Sequence, residues 1–128
     1  MIGNVIYNLL SNDTTVSDIV GTNIFPYMAF ENIVYPYIVY EQTSLDPTDT
    51  KDGVSKLDVV SYDIEIYTKS PSDLTTLANA VRDKLDRFSG TVLTKSIQSI
   101  TYKGENTGFD MKDRVYLRIQ NYSIRLKK

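Results

Sequence analysis

The residues best equipped for chemistry in this chain are carboxylates. Asp46, Asp49 and Asp52 precede Gly53 in a polar stretch, and Asp58, Asp63 and Glu65 follow shortly after. Three acids before a glycine invite comparison with a calcium loop. EF-hand ligands alternate, however, and close on a glutamate, a spacing these residues do not reproduce. They read as a solvated loop. Asp63 and Glu65 stand two apart, so on an extended chain they share one wet face, the ordinary placement of solubility residues rather than of an acid–base pair.

The chain contains no histidine and no cysteine. That removes Ser-His-Asp and Cys-His nucleophiles, histidine zinc sites, disulfides and the commonest general base near neutral pH. No glycine-rich loop follows a strand, so nucleotide binding has no support. Asn12-Asp13-Thr14 and Asn121-Tyr122-Ser123 match the glycosylation triplet, but triplets this short occur by chance. Ten tyrosines and a basic C-terminal third could offer stacking and phosphate contacts to a nucleic acid. Yet Tyr62, Tyr67, Tyr102, Tyr116 and Tyr122 all fall in strand-like segments, where aromatic residues are favoured for packing, so nucleic-acid contact is at most incidental. The residues predict no cofactor and no enzyme.

A length of 128 residues, with 41% hydrophobic and 23% charged, predicts one globular domain over residues 1–128. There is no run of 18 apolar residues and no basic-then-apolar leader, which predicts neither a membrane span nor a signal peptide. Synthesis and residence in the cytoplasm follow, unless a larger assembly carries the protein elsewhere. Charge is unevenly spread: residues 1–68 carry −8, residues 69–94 carry +1 and residues 95–128 carry +5. An acidic front and a basic tail can pair within the fold or between copies. Within the fold, Asp63 and Glu65 beside Arg114 and Arg118 are the expected cross-strand pairs.

The elements that position these residues can be read from periodicity. Ile2, Val5, Ile6, Leu9 and Leu10 form a helical stripe, and Asp13 or Thr14 caps a second short turn that Gly21 ends. Asn23 to Met28 is a short extended piece that Pro26 makes an edge or stops early. Tyr35 to Glu41 is apolar on both faces, hence central. Leu45 to Ser55 is predicted as a projecting polar loop between two antiparallel strands. In Leu57 to Tyr67 the even positions Val60, Tyr62, Ile64 and Ile66 are apolar, the pattern of a half-buried strand.

Ser70-Pro71-Ser72-Asp73 then starts a long helix carrying Leu74, Leu77, Ala78, Val81, Leu85 and Phe88 on one side, with Gly90 as its expected left-handed cap. Ile97 and Ile100 fall on opposite parities and predict a bulge or an irregular stretch there. Lys103 to Lys112 is predicted as a second loop. In the last strand Val115, Leu117 and Ile119 point inward, then Tyr122, Ile124 and Leu126 take over on the other parity, which predicts a bulge near Gln120-Asn121 or a change of partner. The fold class is α+β, a single two-layer domain: a largely antiparallel sheet with an N-terminal helix and one long helix packed on one face.

This order of elements resembles the tail-completion or tail-terminator (head–tail joining) proteins of long-tailed bacteriophages. The features that carry the resemblance are the Ile2-to-Leu10 helix, Val20-Gly21-Thr22-Asn23-Ile24-Phe25-Pro26, Tyr35-Pro36-Tyr37-Ile38-Val39-Tyr40, Tyr62 to Tyr67, the Asp73-to-Leu85 helix and the final Tyr122-Ser123-Ile124. The resemblance implies a structural virion protein at the head–tail junction. It would form a ring with itself, commonly of six, and meet the tail-tube protein and a head-side connector or adaptor. A head-completion or other minor tail protein is the neighbouring alternative, and a cytoplasmic ligand-binding or regulatory domain the alternative from another class.

Expected interface residues come from this sequence alone. They are Asp46, Asp49, Lys51 and Asp52 in the acidic stretch, Glu105, Phe109 and Met111 in the glycine-flanked stretch, and Arg125, Lys127 and Lys128 at the basic end. Phe109 and Met111 are apolar in a loop, and either meet a partner or tuck back onto their own chain.

Overall fold

The computed structural model describes residues 2–29, 34–50 and 53–127, with the side chains of residues 2, 48–50 and 53–56 outside the description. Three helices, α1 (Ile2–Ser11), α2 (Thr14–Val20) and α3 (Pro71–Leu85), accompany six strands. The strands are β1 (Ile24–Pro26), β2 (Tyr37–Thr50), β3 (Gly53–Thr68), β4 (Gly90–Val92), β5 (Lys95–Asp110) and β6 (Val115–Lys127). They form one sheet in the order β1-β2-β3-β6-β5-β4, antiparallel except where β1 runs parallel to β2.

All three helices lie on one face, and the core fills the space between. Val5, Ile6, Leu9 and Leu10 from α1 and Leu74, Leu77, Val81 and Leu85 from α3 pack with Val60, Tyr62, Ile64, Ile66, Tyr122 and Ile124 of the central strands. The even positions of β3 are thus the buried ones, as their alternation requires. Asp13 caps α2 by accepting from Val16 N at 3.1 Å, and Gly21 ends it at φ 61. Ser70 caps α3, whose first position is Pro71.

Several sequence expectations need correction. Helix α3 ends at Leu85, not near Phe88, because Asp86 leaves the helix (ψ 130) and the chain pairs at once with β5: Arg87 N donates to Ile100 O at 2.7 Å and Ile100 N to Phe88 O at 3.0 Å. Gly90 therefore opens β4 instead of capping the helix. The stretch from Leu45 to Ser55 is no loop, since β2 and β3 stay paired out to Thr50 and Gly53. Likewise Lys103 to Asp110 belongs to β5, paired with β6 down to Asp110 and Val115.

The irregularity expected around Ile97 and Ile100 is present as a register shift between Ile97 and Ser99, which puts both isoleucines into the core. In β6, by contrast, there is no bulge against β3, whose register with β6 runs unbroken from Leu57–Lys127 to Thr68–Tyr116. The shift lies in β5, between Tyr102 and Gly104. Val115, Leu117 and Ile119 consequently face away from the helices, and Tyr116, Arg118 and Gln120 take the helix-side positions.

Candidate interaction surfaces

Asp46 and the backbone of Asp49 lie in the outer half of β2, in the β2–β3 hairpin. Lys127 is the last described residue of β6 and pairs with Leu57; among the described residues the hairpin beyond that row pairs with itself, Thr50 with Gly53. Asp46 is exposed and stands in one row with Val59 and, one strand further, Arg125. Asp49 has its backbone in β2 and its side chain outside the described residues, as do Lys51, Asp52 and Lys128 entirely. Arg125 and Lys127 are exposed on the same end of the sheet as Asp46.

Phe109 and Met111 occupy the opposite end, roughly 40 Å away along thirteen residues of β6. There Asp110 Oδ1 accepts from Lys112 N at 2.9 Å and Asp113 N at 3.3 Å, and Arg114 at φ 54 completes the turn from β5 to β6. The Phe109 ring lies 4.8 Å from that of Tyr116 yet stays 49% exposed, while Met111 is 82% exposed. Phe109 is therefore half tucked onto its own chain, and Met111 is held out in solvent.

Glu105 sits between these ends within a network of its own chain. It pairs with Arg118 (Nε to Oε2, 3.3 Å) and accepts from Tyr102 OH at 2.7 Å and from Gln120 Nε2 at 3.3 Å. Arg82 lies over the Tyr102 ring at 4.0 Å. Arg118 cannot serve Glu65, because its register partner is Ile66, which places it on the helix side of the sheet. Asp63 instead accepts from Asn121 Nδ2 at 2.6 Å, and Glu65 from Tyr67 OH at 2.6 Å.

Sequence reasoning missed the face of the sheet away from the helices. Tyr37 and Tyr67 stack there at 4.7 Å and 18°, Tyr35 lies 5.2 Å from Tyr37, and Lys69 Nζ is 5.3 Å from the Tyr35 ring centre. Burial, with the neighbouring Tyr35 and Glu65, pushes the Tyr37 phenol up to about 12. Burial also raises the Glu41 carboxyl, helped by the charges of Glu65 and Asp63. The available signal was parity: Tyr67 shares the odd positions of Asp63 and Glu65, and an aromatic residue among wet-face acids marks a face that is not simply solvated.

Beside the tyrosines lies a concavity of about 530 Å³ bordered by Tyr27, Met28, Tyr35, Tyr37, Tyr67 and Lys69. Glu65 and Asp113 border it as well, and because Tyr27 and Met28 are mostly exposed it is a surface hollow rather than a buried pocket. Among the described residues no group of three acids is placed to hold a metal.

The sequence matches the family described as Tail completion protein gp17 over residues 4–127, nearly the whole chain. No curated protein matches it significantly. Among solved structures, a chain from "Virion of native gene transfer agent (GTA) particle" superposes with a TM-score of 0.76 at 16% identity, covering 96% of this chain and 92% of that one. At that identity the likeness is one of fold. The family match over residues 4–127 goes further: the chain belongs to the gp17 tail completion family, structural proteins of the virion tail.

Proposed function

We propose that this protein acts as a single domain that closes into a ring at the head–tail junction, commonly of six copies, where it completes the tail and joins it to the head. One side of the ring meets the tail-tube protein and the other a head-side connector or adaptor; the chain does no chemistry of its own. The observation that carries this reading is the placement of two unlike surfaces at opposite ends of one sheet. The hairpin end carries exposed Asp46, with the backbone of Asp49 further out in β2, and the opposite end presents Phe109 and Met111 at an apolar turn. A subunit between two different neighbours along a tail axis requires two different ends. Expected contacts are Asp46, Asp49, Arg125 and Lys127 at one end, and Phe109 and Met111 at the other, with Glu105 between them; Lys51, Asp52 and Lys128, outside the described residues, are expected contacts as well.

The ring itself draws on charge. Segments of −8 and +5 let each copy offer an acidic patch to the basic patch of the next, as heterologous contacts in a closed ring allow. Such joints weaken as salt screens them. The direct test is assembly from a phage genome in which this coding sequence is interrupted. Full heads and unattached tails, joined again on addition of the purified protein, are expected; normal particles would contradict the reading.

A further inference from the structure

The sheet has two open edges, and their geometry says how copies meet. We propose that the ring joint is an intermolecular β-pairing, in which the outer edge of β2 from Gln42 to Pro47 in one copy pairs with the outer edge of β5 in the next. This rests on the ring reading and specifies its contact.

The first support is unpaired backbone. On one side β1 covers β2 only from Ile38 to Tyr40, and on the other β4 and the Arg87–Phe88 segment cover β5 only up to Ile100. Among the described residues no strand pairs with the outer edge of β2 after Tyr40 or of β5 after Ile100. Alternation fixes which groups point outward. Ile38 N donates to Asn23 O and Tyr40 O accepts from Tyr27 N, both away from β3. With the shift after Gln42, the outward residues further along are Gln42, Leu45 and Pro47. On β5, Ile100 and Tyr102 point outward, Tyr102 N donating to Asp86 Oδ1 at 3.0 Å. After the shift at Lys103 the outward set is Glu105, Thr107 and Phe109. An edge this long is a template for another strand. Pro47 has no N–H to give and the register shifts interrupt the ladder, which confines the pairing to a few rows.

The second support is apolar surface on both edges. Leu45 is 48% exposed and Phe109 49%, and both lie on the helix side of the sheet, Leu45 opposite core residue Val60 and Phe109 opposite Tyr116. Pairing Leu45 with Thr107 places Leu45 diagonally beside Phe109, where each covers the other.

The third is charge. The strands β1 to β3 hold six carboxylates against one lysine, whereas β4 to β6 hold five cations against two carboxylates. The acidic front and basic tail of the sequence thus become opposite halves of one sheet, and head-to-tail joining sets the acidic half of one copy beside the basic half of the next.

The open stretches lie at diagonal corners, since the row through Gln42, Tyr62, Tyr122 and Tyr102 separates them. Pairing Leu45 with Thr107 shifts neighbouring copies by about six residues, roughly 20 Å, across four strand spacings of roughly 19 Å in all. The strands then lean about 45° from the ring axis, within the tilt at which closed sheets settle.

The test uses the absence of cysteine. Leu45→Cys together with Thr107→Cys, or with Phe109→Cys, places thiols on opposite edges of one copy, about three strand spacings apart and too far to join internally. Oxidation should give a ladder of covalent multimers ending at the ring number, while control cysteines at Thr75 and Thr107 should not. In parallel, Thr107→Pro removes an outward N–H while sparing the β5–β6 ladder, and should raise the assembly concentration about tenfold or more. Thr107→Val, which loses only the hydroxyl that accepts from Arg118 Nε, should assemble normally. Wild-type rings whose cysteine pairs never cross-link and whose Thr107→Pro form is unimpaired would overturn the edge joint and leave the ring reading standing. A wild type that remains a monomer alone and on tails would overturn both.

Discussion

Gln120 is fully buried between α3 and the sheet, and its replacement by leucine tests whether the helix layer is fixed by a polar network as well as by apolar packing. Its Nε2 donates to Ala78 O at 3.0 Å and to Glu105 at 3.3 Å, and its Oε1 accepts from Tyr122 OH at 2.8 Å. Burial drives the Tyr122 phenol far above its ordinary range, so the hydroxyl stays protonated and needs an acceptor. In Gln120→Leu the main cost is that orphaned hydroxyl, about 1–3 kcal/mol. Ala78 O lies within α3, and Glu105 keeps Tyr102 and Arg118, so neither adds much. A loss of about 2 kcal/mol corresponds to roughly 8 °C in Tm for a chain of this size. Tyr122→Phe alone strands Gln120 Oε1 and should cost about 1–2 kcal/mol. The double variant removes both partners and should cost clearly less than the two singles together, with a coupling of about 1–2 kcal/mol. Urea unfolding of all four proteins measures the cycle. Additivity within about 0.5 kcal/mol would refute the network argument.

Other expectations follow from the same structure. Leu77→Ala, at a fully buried helix position, should cost about 2–5 kcal/mol by urea unfolding. Asp13→Ala removes the cap of α2 and should cost about 1 kcal/mol in the same measurement. The Glu41 carboxyl is raised in the fold, so its charged form opposes folding above that raised value. Glu41→Gln should therefore raise Tm at pH 7, and the gain should fade as the pH falls through the raised value towards that of an unfolded carboxyl. Met111→Ser, at an exposed turn, should leave Tm within about 2 °C while weakening tail joining in the rescue experiment.

The helices and the core face of β3 were legible because each carries a strong period: Val5, Ile6, Leu9 and Leu10 at helical spacing, Val60 to Ile66 at spacing two. The outer part of the β2–β3 hairpin was not, because Asp46, Pro47 and Asp49 show no apolar alternation to reveal a strand, and pairing with β3 makes it one. Gly104 and Gly108 misled in the same way in β5. The phase of β6 was misread because two apolar sets compete there. Val115 and Leu117 lie beside Tyr37 and Tyr67 on the helix-free face, which Ile119 shares, and the true core row includes polar Gln120. Of the residues expected at an interface, Asp46, Phe109 and Met111 are exposed, and the sequence could not show that Asp46 lies at the opposite end of the sheet from the other two. The split of charge along the chain was visible, yet only the strand order turns it into two edges.

The most direct test of the account is the mass of the purified protein by light scattering across concentration and salt, with electron microscopy of any large species. A closed ring near six copies that loosens as salt rises is predicted. A strict monomer that also fails to assemble on tails, or a ring indifferent to salt, would contradict the charge-matched ring.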